Sequence, residues 1–127
     1  MITAVHTLVY SDDPPATRAF FRDVLRWPYV SDEGSSSDGD EWLIFRSGRS
    51  ELGVHPTSGE GWSSPRHTEL SLMCDNIETT VAELRERGAV IEGELVDRGF
   101  GICVTVEVPG ADALLLYEPK HRVAYGL

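Results

Sequence analysis

Residues 67–88, HTELSLMCDNIETTVAELRERG, begin as an alternating run headed by a histidine and pass directly into an amphipathic helix. Thr68, Leu70 and Leu72 share one face of the run and suit packing against a helix, which leaves His67 and Glu69 on the other face. Asp75 with Glu78 three residues on has the spacing of a capping box, Ile77, Val81 and Leu84 form the apolar stripe, and Gly88 marks the helix end. Residues 6–25, HTLVYSDDPPATRAFFRDVL, repeat the plan. His6, Leu8 and Tyr10 alternate with Val5, Thr7 and Val9. Asp12 or Asp13 supplies a cap, Pro14 and Pro15 fit the first turn, and Phe20/Val24 with Phe21/Leu25 predict a helix to about Arg26.

The segments after each helix also correspond. WPYVSD (27–32), EWLIFRS (41–47) and ELGVH (51–55) read as three strands, with EGSSSDGD (33–40) a loop and a hairpin at Ser47–Arg49. VIEGELVDR (90–98), GICVTVEV (101–108) and ALLLYEP (113–119) read as three more. Between the halves, PTSGEGWSSP (56–65) has turn residues and no periodicity. The prediction is a single α+β domain over residues 1–127, built from two tandem βαβββ modules at about 3–56 and 66–119 with a linker at about 57–65. Such units lay their helices outside a curled mixed sheet whose inner face lines a cleft. His6 and His67 then occupy matching places on the cleft side.

Composition narrows the function. Eleven Lys+Arg against 21 Asp+Glu give a formal charge of −10, which repels phosphate backbones, so nucleic acid is not an expected partner. No apolar run approaches the roughly 20 residues that span a bilayer, and MITAVHTLVYSDD lacks the pattern of an export signal, so a cytoplasmic location is expected. The two cysteines, Cys74 and Cys103, are far apart and read as small core residues rather than a disulfide or zinc motif. There is no Gly-rich phosphate loop, nucleophile elbow or HExxH.

Taken together, the two histidine-headed halves and their endings, ELGVHP and LLLYEPKH, resemble the vicinal oxygen chelate superfamily, which includes glyoxalases, extradiol dioxygenases and bleomycin-resistance proteins. The resemblance implies a divalent ion (Mn, Fe, Ni or Zn) held by one histidine and one glutamate from each module. His6 and His67 match the histidines. Where family members often end LELYEP, this chain has Leu115 at the ligand place, and strand alternation turns Glu118 to the other face. One alignment of the module ends sets Gly53 opposite Leu115 and Glu51 opposite Ala113, and a shift by two makes Glu51 itself the ligand.

Two functions compete on these residues. The first is a small-molecule-binding protein of the bleomycin-resistance type, holding an aromatic antibiotic or metabolite without catalysis and with no cofactor. Its cleft, at the interface of a homodimer, is furnished by His6, Tyr10, Trp42, Glu51, Gly53, His67, Glu69, Leu115 and Tyr117. The alternative is a metal-dependent glyoxalase-like lyase, isomerase or dioxygenase with His6, Glu51 and His67 on the ion and Glu69 or His55 moving a proton. For His55, beside Pro56, an exposed side chain is the plainer reading, and Trp27 is expected to pack between helix and sheet.

Overall fold

A computed structural model describes residues 4, 6–31 and 43–127. Helix α1 (Pro14–Ala19) is capped by Asp13, whose Oδ1 accepts the Ala16 N–H, and it widens into a π-helical turn at Phe20–Val24. Arg26 then adopts φ 57° and the Trp27 N–H closes onto the Phe21 carbonyl, the type of bond that ends a helix around a left-handed residue. Two short antiparallel pairs follow: β1 (Tyr29–Ser31) with β2 (Leu43–Phe45), and β3 (Ser58–Gly59) with β4 (Trp62–Ser63). The second half comprises β5 (Ser71–Met73), α2 (Ile77–Glu86), β6 (Ile91–Asp97), β7 (Gly101–Val106) and β8 (Leu114–Pro119).

These last strands form a four-stranded sheet in the order β5-β8-β7-β6, with β5 parallel to β8 and the other neighbours antiparallel. The connection from β5 to its parallel neighbour β8 runs through α2, β6 and β7. Registers pair Val104 with Leu116 and Val106 with Leu114, and all four side chains are buried in one cluster with Phe20, Phe21, Ile77, Val81 and Leu84. Both helices therefore cover one face of the same sheet. The expected α+β architecture with outer helices is present, and the second module has the βαβββ order read from its sequence.

The halves are tied at the 109–110 turn. The Asp12 N–H donates to the Gly110 carbonyl at 2.7 Å and the Thr17 hydroxyl to that of Pro109. Gly110 has φ +80°, and a Cβ there would lie 2.7 Å from Ser11 Oγ, so the turn needs both the conformation and the missing side chain of glycine. Arg87 Nη1 donates to the Val24 carbonyl, joining α2 to the end of the first helical segment. Trp27 stacks on Phe21 with centroids 5.3 Å apart, as its place after the helix suggests.

The first half departs from its predicted pattern. Residues 6–10 and 51–55 carry strand-like sequence but form no ladder, and the described strands make three separate sheets rather than one curled sheet. An extended segment gains ladder hydrogen bonds only beside a neighbouring strand, and neither segment has one within the described chain. Leu52 and Val54 are consequently 82% and 93% exposed. In the linker, the β3–β4 hairpin went unforeseen because its turn signals mask a short pair. Helix α2 is capped by Asn76, whose Oδ1 accepts the Thr79 N–H at 2.9 Å, in place of the predicted Asp75 box. Among the described residues, no helix is long and apolar enough to cross a membrane.

Leu116 is 2% exposed at the centre of the shared core. Leu116→Ala should cost about 2–5 kcal/mol through lost transfer energy and the cavity left behind. Urea unfolding should show this as a lower midpoint with an unchanged slope.

Candidate functional site

Strand β8 divides its side chains between two surroundings. Leu114 and Leu116 enter the helix-side core, and Glu118 on the same face accepts the Ile77 N–H at 3.1 Å, at the start of α2. That carboxylate is thus occupied as a helix cap, in line with the face assigned to it from the sequence. Leu115 and Tyr117 face the opposite way. Across the ladder, Ser71, Leu115 and Thr105 lie in one row, and Met73, Tyr117 and Cys103 in the next. Leu70 and Leu72 pack on the helix-side core, so Glu69 and His67 continue this inner face beyond the start of β5.

His67 and Glu69 are joined directly. The His67 Nε2 to Glu69 Oε1 distance is 2.9 Å, and Nδ1 lies 2.7 Å from the Pro65 carbonyl. Both ring nitrogens face acceptors, an arrangement that only the protonated ring satisfies on both sides. The hydrogen bond to Glu69, followed by that to Pro65, raises the His67 pKa above the ordinary 6.5.

A second polar cluster gathers at the far end of β8. Tyr117 Oη lies 3.1 Å from His121 Nε2, and Glu51 Oε1 lies 3.7 Å from the same nitrogen. The other oxygen of Glu51 accepts the Ala124 N–H at 2.7 Å, while His121 Nδ1 donates to the Arg122 carbonyl at 2.9 Å. The phenol of Tyr117 is raised, first by burial and then by the Glu51 charge. Phe100 meets the Tyr117 ring edge-on at 5.4 Å. His121 is the residue that sequence reasoning passed over. The only signal was its place two residues beyond the strand-ending Pro119.

The remaining candidates are dispersed. His6 and Tyr10 are exposed, Tyr10 to 87%. A Cβ at Gly53 would meet open space, and Trp42 lies outside the described residues. His55 is exposed, with Nδ1 donating to the Pro56 carbonyl and its ring 5.3 Å from that of Trp62. Cys103 is buried and Cys74 half-buried, and desolvation raises both thiols, so each is inert packing as its sequence context indicates. A separate open groove of about 740 Å³ runs between α1 and residues 107–113, with Glu92 and Glu107 at one end. A hydrogen bond between these two carboxyls raises the pKa of Glu107.

The ion implied by the family resemblance finds no matching ligand set here. Among the described residues, no three His, Cys, Asp or Glu side chains are grouped to hold a metal, so His6, Glu51 and His67 do not converge within the chain. Glu51 is instead taken up by Ala124 and His121, and Leu115 places a hydrocarbon at the glutamate position. No catalytic step can be derived from that set.

The His67–Glu69 pair generates a direct test. Ring NMR of His67 should show titration above 6.5, and Glu69→Gln should bring it down. Because the folded pKa is raised, the pair's contribution to stability is present below the unfolded value and is lost as pH rises through the folded one. An unchanged titration in Glu69→Gln would exclude the pairing.

Comparison with known proteins agrees with this geometry. A model of the glyoxalase-like domain matches residues 6–110. No curated protein sequence matches significantly. Among solved structures, TnmS3, an antibiotic binding protein from Streptomyces sp. CB03234, superposes with a TM-score of 0.60 at 17% identity over 94% of this chain and 98% of its own. A member of the glyoxalase/bleomycin resistance protein/dioxygenase superfamily from Sphaerobacter thermophilus DSM 20745 gives 0.55 at 20% identity over 92% and 98%. Lactoylglutathione lyase from Agrobacterium tumefaciens gives 0.54 at 16% over 92% and 94%. At such identities the likeness carries the fold alone, but the family match spans most of the chain: it belongs to the glyoxalase-like domain family of the vicinal oxygen chelate superfamily.

Proposed function

We propose that the chain is a cytoplasmic small-molecule-binding protein that sequesters an aromatic antibiotic or metabolite without transforming it. The observation that carries this reading is Leu115. It stands on the inner face, beside Tyr117 and across from Thr105 and Ser71, where a metalloenzyme of this family would present a carboxylate. An apolar and aromatic floor edged by His67 and Glu69 suits a flat ring that carries a few polar substituents. The fold shared with TnmS3, an antibiotic binding protein, is in keeping with this. The charge of −10 favours a cationic ligand.

We further infer that the working unit is a homodimer. Leu8, Tyr10, Leu52 and Val54 are 54%, 87%, 82% and 93% exposed, on two segments that form no ladder with any of the described residues. A second copy can supply both the missing ladder partners and the apolar cover, and so close the inner face into a cleft.

Aromatic ligands should quench tryptophan fluorescence with micromolar or tighter Kd, and Tyr117→Ala should weaken binding about tenfold if ring contact supplies roughly 1.4 kcal/mol. Absence of binding across a broad set of planar antibiotics and aromatic metabolites would defeat the reading. Sedimentation should give a dimer at micromolar concentration that Val54→Lys shifts to monomer. A wild-type monomer would overturn the assembly.

A further inference from the structure

The open groove between α1 and residues 107–113, about 740 Å³ in volume, combines hydrocarbon with charge of a single sign. Small aliphatic side chains such as Ala19, Ala89 and Val90 make up most of its lining, and the charged residues along it, Asp23, Glu92, Glu107 and Asp112, are all acidic. No Lys, Arg or His is among the described residues that line it. Of the cations beside the groove, Arg22 is taken by Asp23 at 2.7 Å and Arg87 by the Val24 carbonyl at 3.0 Å. Glu92, Glu107 and Asp112 are left as its acidic rim.

The backbone sets two of these carboxyls side by side. Glu92 pairs with Thr105, and the Glu107 N–H donates to the Val90 carbonyl at 2.9 Å, so Glu92 and Glu107 are diagonal neighbours at the β6 edge of the sheet. Like charges placed in this way work against the pairing of their strands. Both residues are exposed and neither contributes to the core, so the packing gives no reason for two acids there. We propose that the groove is a second binding site, taking a small organic cation whose protonated amine meets Glu92 and Glu107 and whose hydrocarbon body lies along the aliphatic lining.

The choice of occupant rests on charge and size. In the free protein the two carboxyls are hydrogen-bonded to each other, which raises Glu107 and keeps a proton between them. A protonated amine offers donors to both oxygens together with the opposite charge, so it replaces that proton, which is released to solvent. The volume lies within the roughly 300–1,000 Å³ of small-molecule sites. A second copy of this chain, at −10, would bring more negative charge to an acidic rim. Val90 is 54% exposed, an apolar surface that the body of such a ligand would cover. The proposal stands on the groove alone and does not depend on the reading of the inner face.

The test is backbone amide NMR of the full chain titrated with octylammonium, with octanol and octyl sulfate as neutral and anionic counterparts. Octylammonium should shift Ala19, Val90, Glu107 and Ala111 and leave Ser71 and Tyr117 unmoved. Octanol should bind at least about tenfold more weakly and octyl sulfate not at all, as the loss of charge-assisted hydrogen bonds requires. The double variant Glu92→Gln/Glu107→Gln should lose the preference for octylammonium over octanol with its circular dichroism intact. Val90→Lys, at an exposed position, should block the cation independently. Affinity should fall as pH drops through the raised Glu107 value, because the pair then holds its proton while Asp23 and Asp112 remain the other acids of the groove. Equal binding of octanol and octylammonium, shifts at Ser71 and Tyr117 in place of the groove, an unchanged preference in the double variant, or no binding would overturn the proposal. Fluorescence titration with planar aromatic ligands reads the inner face separately, so failure of one proposal is distinguishable from failure of the other.

Discussion

The alternation of β8 between core and inner face is the constraint on which the rest of the structure hangs. The strand is paired on both edges, parallel to β5 and antiparallel to β7. A slip of one residue would exchange its two faces. Leu114 and Leu116 would then leave a core shared with both helices, and Glu118 would lose the Ile77 N–H. The register that satisfies the core therefore dictates that Leu115 and Tyr117 face inward. The chemistry of the inner face follows from that choice.

Much of the second half was legible because its signals agree. The stripe of Ile77, Val81 and Leu84 is buried as its period requires, and the hydrophobic runs at 101–106 and 114–119 form the central strands. The inner-face position of Leu115 and the outward turn of Glu118 also follow from strand parity. Local errors came where neighbouring residues compete: Asn76 rather than Asp75 accepts the first-turn N–H, a choice of one position that a capping motif cannot make.

The first half was less legible for a different reason. Leu8, Leu52 and Val54 have side chains suited to strands, but the strand is a property of a pair and no pattern in one segment reveals its partner. The candidate site shows the same limit. His67 and Glu69 are two residues apart and their contact follows from parity, whereas Glu51 and His121 are brought together by the path of the tail, which has no periodicity to read. The matching histidines of the two modules suggested one metal centre. Among the described residues, no three His, Cys, Asp or Glu side chains are grouped to hold an ion.

The inner face of the sheet and the outer groove are distinct surfaces, one floored by Leu115 and Tyr117, the other bounded by α1 and residues 107–113. Backbone amide NMR with a bound planar aromatic ligand tests most directly which of them serves. Shifts at Glu69, Ser71, Leu115 and Tyr117 are predicted, on the inner face of the sheet. Shifts confined to Ala16, Ala89 and Gly110, or none anywhere, would contradict the account.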